Sequence, residues 1–169
     1  MNNKVLVIGG IILIAAAMRL VPHYPNFTPI AAIALFGGAY LSDKRLAFLL
    51  PLVALFISDL VLGFHNTMIP VYACFALTVF IGMNLRNRVK PLTVAAGALG
   101  SSVVFFLVTN FALFYPGYYP ANISGILMSY TAAIPFFHYS LAGDLFYSAV
   151  IFGAFELAKF KLPALAEVK

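Results

Sequence analysis

Charge is what this chain has least of. Only 9% of its 169 residues are Asp, Glu, Lys or Arg, against 63% hydrophobic, and its mean hydropathy is +1.02. Soluble domains carry about 25% charged and about 45–50% apolar residues. A soluble domain is therefore excluded, and an integral membrane protein with one compact helical domain over 1–169 is expected. Cysteine is nearly absent: Cys74 alone rules out an internal disulfide and a Cys-rich metal site. The three histidines, His23, His65 and His138, give no i, i+4 ligand pair, so no metal is expected. Neither a nucleophile–base arrangement nor a carboxylate pair at useful spacing occurs, so no enzyme activity and no cofactor are expected. No nucleotide-binding motif occurs either. A convincing internal repeat is also missing. The net charge of +5 does not point to nucleic acid, because the basic residues are short clusters beside apolar runs.

The apolar runs that are present predict an all-α membrane bundle of six transmembrane helices. Their spans are about 5–18, 28–41, 46–64, 68–85, 91–114 and 142–158. Lys4 followed by an apolar run ending in Ala15, Ala16 and Ala17 also has the layout of a signal peptide. That run is long enough for a first span with slight mismatch, which is the reading taken. Thr28 is placed to cap the second helix with Pro29 at its first turn, and Pro51 to kink the third. The long connection 115–141 holds the sequence YPGYYP and then a 15-residue apolar piece, 123–137, interrupted by Gly125 and Pro135. That piece is too short for about 30 Å of hydrocarbon. It is expected as an extra short helix, re-entrant or interfacial, packed over the mouth of the bundle.

Charge sign orients the bundle. Lys4, Lys44, Arg45, Arg86, Arg88, Lys90, Lys159, Lys161 and Lys169 fall at one face, and only Arg19 at the other. The positive-inside rule then puts both termini in the cytoplasm, N-in and C-in. The remaining polar residues gather on the opposite, outer side. They include all three histidines, Asn26, Asn66, Asn110, Asn122, Asp59, Asp144 and every tyrosine except Tyr40. Aromatic belts occur at both interfaces. A one-sided set joined to histidine, asparagine and aspartate fits a ligand pocket that opens outward.

Asp59 is the sharpest single residue. A carboxylate within a span costs roughly 2.5–3.5 kcal/mol on insertion scales, so it needs a partner, a proton or water. Arg19 is the natural partner; a substrate hydrogen bond is the alternative. Asp144 has the same duality, or caps its helix. Cys74 reads as a small buried apolar residue, with a soft ligand to a centre such as cobalt as the minor reading. Glu156 is placed to pair with Lys159 at i, i+3. Ala34 with Gly38, and Gly97 with Ser101, form small-residue faces for close helix packing.

The run RLVPHYPNFTPIAAIALFGGAY from Arg19 to Tyr40 resembles the signature of a family of small bacterial membrane proteins described only as transport proteins. Three further pieces carry the likeness nearly to the end of the chain. They are SDLVLGFHNTMIPVY, FFLVTNFALF and YTAAIPFFHYSLAGDLFYSAVIFG. The architecture also resembles substrate-binding S components of energy-coupling factor vitamin transporters, which are of similar size, with six helices, both termini inside and a ligand under outer loops. The nickel and cobalt S components begin Met-His, whereas this chain begins Met1-Asn2-Asn3.

The resemblance implies a protein of the bacterial inner membrane that binds a small, vitamin-like solute for uptake. Lipid would surround it, and separate transmembrane coupling and ATPase subunits would supply the energy. The candidate solute-binding residues are Arg19, His23, Asn26, Asp59, Tyr72, Asn110, His138 and Asp144. The alternative is a structural or assembly protein of the cell envelope without a small ligand.

Overall fold

Eleven residues, Ile30–Tyr40 (α2), organise the molecule, and ten of them are buried. At about 1.5 Å per residue this helix is roughly 16 Å long, too short to cross about 30 Å of hydrocarbon by itself. It is instead enclosed by its neighbours. α1 (Asn3–Ala17), α3 (Lys44–Leu62), α4 (Met68–Asn84), α5 (Pro91–Thr109) and α6 (Ile123–Lys161) all pack against it. The computed structural model describes residues 3–21, 24–111 and 115–161. Six α-helices, a 3-10 turn at Met18–Leu20 and no strand occur among them. Three helices, α3, α5 and α6, are long and apolar enough to cross a membrane.

The helix starts follow local chemistry. Asp43 caps α3, its carboxylate accepting from the amides of Arg45 at 2.7 Å and Leu46 at 3.3 Å. Pro91 opens α5, where the Lys90 amide donates to Thr93 Oγ1 at 3.0 Å. α3 runs on through Pro51. Thr28 does not cap α2 as expected: Pro29 holds the cap position and no side chain bonds the helix start. The helix begins one residue late because the first α-helical hydrogen bond closes on the Pro29 carbonyl, from the Ile33 amide at 2.9 Å.

Close packing of α2 on α4 depends on two glycines. A Cβ on Gly38 would lie 2.1 Å from the Val79 carbonyl oxygen, and one on Gly82 2.1 Å from that of Leu35. The small-residue face of α2 is thus internal packing, backbone against backbone. Beside it Phe36 meets Phe152 and Phe155 edge-on, with centroids 5.4 and 5.2 Å apart.

The largest departure from expectation is α6. The short helix over 123–137 and the last span over 142–158 are one continuous helix of 39 residues, roughly 58 Å long. Residues 138–141 contain no glycine or proline to stop it. Membrane thickness limits a span, not a helix, and α5 supports the whole middle of α6. Tyr130 Oη donates to the Leu107 carbonyl at 2.7 Å, Phe137 packs on Phe106 at 4.8 Å, and Ser102 Oγ donates to Asp144. Pro135 lies inside this supported stretch, where neighbouring helices make such a proline tolerable.

The two ends of the bundle differ. One gathers Lys4, Arg86, Lys159 and Glu156 around a cleft with Tyr40. There Arg86 Nε donates to the Gly38 carbonyl at 3.0 Å, and its Nη groups reach Leu41 and Ser42, closing the C-terminus of α2. Lys159 pairs with Glu156 at 3.0 Å, as the spacing predicts, and Tyr40 donates to the same carboxylate. The other end holds a cavity.

Candidate functional site

That cavity has a volume of about 330 Å³ and lies between the loop before α2, the ends of α3 and α4, and the facing sides of α5 and α6. Its helical walls follow the 3.6-residue period. α5 contributes Ser102, Phe105, Phe106 and Thr109, at i, i+3, i+4 and i+7. α6 contributes Ala133, Phe136, Phe137 and Ser140 at the same spacing, and then Asp144 one turn on. Each wall is thus a stripe of phenylalanine edged by hydroxyls. Phe75 of α4 packs on Phe105 at 5.5 Å and continues the apolar lining.

Arg19 and Asp59 form the charged corner. The Arg19 guanidinium pairs with Asp59 Oδ1 and donates to Ser58 Oγ at 2.7 Å, while Tyr72 Oη donates to Asp59 Oδ2 at 2.7 Å. Both carboxylate oxygens are therefore bonded, at 1% exposure. Asp59 does not line the cavity; Arg19 does. Asp59, Ser58 and Tyr72 consequently act as a bracket that fixes Arg19 at the cavity wall.

Asp144 differs from Asp59. It is an interior residue of α6, so it caps no helix, contrary to one sequence expectation. It is 7% exposed, lines the cavity, and accepts a hydrogen bond from Ser102 Oγ at 2.6 Å. Among the described residues no cation pairs with it, unlike Asp59 with Arg19 and Glu156 with Lys159. One hydroxyl offsets little of the cost of a carboxylate at this depth.

Of the eight residues expected from sequence, Arg19, Asn26, Asn110 and Asp144 line the cavity. Asn26 sits at positive φ (63°) at the rim, and Asn110 Nδ2 donates to the Phe106 carbonyl at 2.9 Å. Asp59 and Tyr72 stand behind Arg19. His138 is exposed on α6 and is not among the lining residues. His23 lies outside the described residues. Sequence reasoning missed His65 as a lining group; its Nδ1 is hydrogen-bonded to Thr67 Oγ1 at 2.9 Å. It also missed Ser102, Thr109, Ser140 and Tyr115. Tyr115 Oη donates to the Thr109 carbonyl at 2.8 Å. Burial, with Tyr119 nearby, raises its pKa above the ordinary phenol value. The helical spacing of hydroxyl and phenylalanine on α5 and α6 was the available signal.

Cys74 is buried, as its small-apolar reading expects, and is not among the cavity-lining residues. Among the described residues no group of three His, Cys, Asp or Glu side chains is placed to hold a metal ion. What the arrangement can do is enclose a small molecule: aromatic walls, a bracketed guanidinium, a buried carboxylate, and amide and hydroxyl groups at the rim.

No curated protein and no solved structure matches the chain. A family profile matches residues 1–165, nearly the whole length, and the chain belongs to that family, a family of unknown function designated DUF6580.

Proposed function

We propose that the chain is a membrane-embedded solute-binding protein for uptake, similar in plan to the S components of energy-coupling factor transporters. In this reading six helices sit in the bacterial inner membrane with both termini in the cytoplasm. The basic cleft end faces inward by the positive-inside rule, and the cavity opens outward. In this reading the C-terminal part of α6, about 142–158, supplies the last span, and the turns before it continue the same helix beyond the membrane. Energy would come from separate transmembrane coupling and ATPase subunits.

One observation carries the reading: the cavity at the end opposite the basic cleft has apolar aromatic walls and converging polar groups. Its volume, about 330 Å³, is at the lower end of the roughly 300–1,000 Å³ of ligand pockets, which favours a small solute. A pure scaffold has no need to keep Asp144 buried beside such a space.

The test is mass spectrometry of small molecules released from the detergent-purified protein, beside an Ala133→Trp variant whose indole fills the cavity. The expected result is one compound enriched with the native chain and lost in a variant that stays folded. A blank from folded protein, with no stabilisation by any solute in a thermal-shift screen, would overturn the reading in favour of an envelope assembly role.

A further inference from the structure

The charges around the cavity are not balanced, and the imbalance has a sign. Arg19 is the only Lys or Arg among the residues lining it, and Asp59, itself buried, already neutralises that guanidinium through an ion pair. Ser58 and Tyr72 complete the bracket. Asp144 has no such counterpart. It is more than nine-tenths buried, faces the cavity, and meets one hydroxyl and no cation among the described residues. Phe105, Phe106, Phe136 and Phe137 line the same cavity. Phenyl rings present negative faces, which attract cations when water is excluded. A carboxylate held away from water needs either a proton or a counter-cation.

We propose that the cavity selects a positively charged organic solute, an ammonium or similar nitrogen cation, whose charge meets Asp144. This rests on the reading that the cavity binds a solute at all. In this arrangement Ser102 holds one carboxylate oxygen, and the other is left to accept from the solute. The phenylalanines enclose its apolar body and supply cation–π contacts. Anionic solutes are disfavoured, because the one guanidinium at the wall is already paired and Asp144 repels them.

Three probes of matched size separate the possibilities: 2-phenylethylammonium, 2-phenylethanol and 3-phenylpropionate, each titrated calorimetrically into the purified full-length protein. The expected order places the ammonium at least tenfold tighter than the alcohol, with the carboxylate weakest. Asp144→Asn, nearly the same shape, should cost the ammonium about tenfold and leave the alcohol unchanged. Asp144→Glu should keep the preference for the cation, which guards against a merely structural effect of the first variant. Binding of the alcohol or the carboxylate as tightly as the ammonium overturns the charge assignment and leaves the solute reading standing. So does an ammonium affinity that Asp144→Asn does not change. No binding of any probe at millimolar concentration also overturns the charge assignment, and the solute reading is then decided by the mass-spectrometric test above.

Discussion

Asp59 and Asp144 are both buried carboxylates on apolar helices, and their partners give them different work. Asp59 has a guanidinium, a phenol and no cavity; Asp144 has a hydroxyl and a cavity. Removing one partner of a buried pair leaves the other charge stranded, which costs about 3–5 kcal/mol when both are wholly enclosed. Arg19 keeps 19% exposure, so water compensates part of that. Asp59→Ala should therefore cost about 2–3 kcal/mol. The double variant Arg19→Leu/Asp59→Leu should recover at least half of it, read as thermal unfolding in detergent. Simple addition of the single losses would show that the pair is not coupled. Ser148 presents the converse case. Its hydroxyl is buried with no partner among the described residues, so Ser148→Ala should be neutral or should stabilise by about 1 kcal/mol in the same assay. The Arg19–Asp59 pair was legible from sequence because charge is so scarce that each ion has few candidate partners. Ser102 was not legible, since a lone serine in an apolar helix reads as small packing. Asp144 was legible as a polar anomaly but misplaced, because its helix was started too late.

Among the elements, α2 and α6 show where local pattern is and is not enough. The small residues of α2 predicted close packing, and the structure identifies the partner as α4 through Gly82. Gly82→Ala forces backbone apart and should cost about 1–3 kcal/mol or more in thermal unfolding. Gly100→Ala on α5 is the matched contrast. A Cβ there meets nothing within 4 Å. Alanine should gain about 0.5–1 kcal/mol through helix propensity. Equal effects at both positions would contradict the packing. α6 was divided in the sequence reading by bilayer thickness and Pro135, neither of which ends a helix that a neighbour supports. Its length matters to the site: the 123–137 stretch supplies Ala133, Phe136 and Phe137, and the following turns supply Ser140 and Asp144, all from one continuous helix. Both cavity walls are therefore fixed by the α5–α6 register rather than by loops.

At the scale of the whole molecule the chain is polarised. Its cations cluster at the end where Arg86 seals α2 and Lys159 pairs with Glu156, while aromatic and polar groups, with Arg19 and Asp144 among them, line a cavity at the opposite end. The sign of that polarity was readable in the sequence, because loop charge needs no packing information. A pocket at the other end was read from the one-sided polar set, but its phenylalanine walls were not, because they depend on how far apart α5 and α6 are held. The central claim is that this cavity is reached from outside the cell. The most direct measurement is labelling with a membrane-impermeant maleimide in intact cells, on a Cys74→Ala background. Ser140→Cys sits at the cavity and Arg88→Cys at the exposed basic end. The account predicts that Ser140→Cys is labelled in intact cells and Arg88→Cys only after permeabilisation. The reverse pattern would put the cavity in the cytoplasm and contradict uptake from outside.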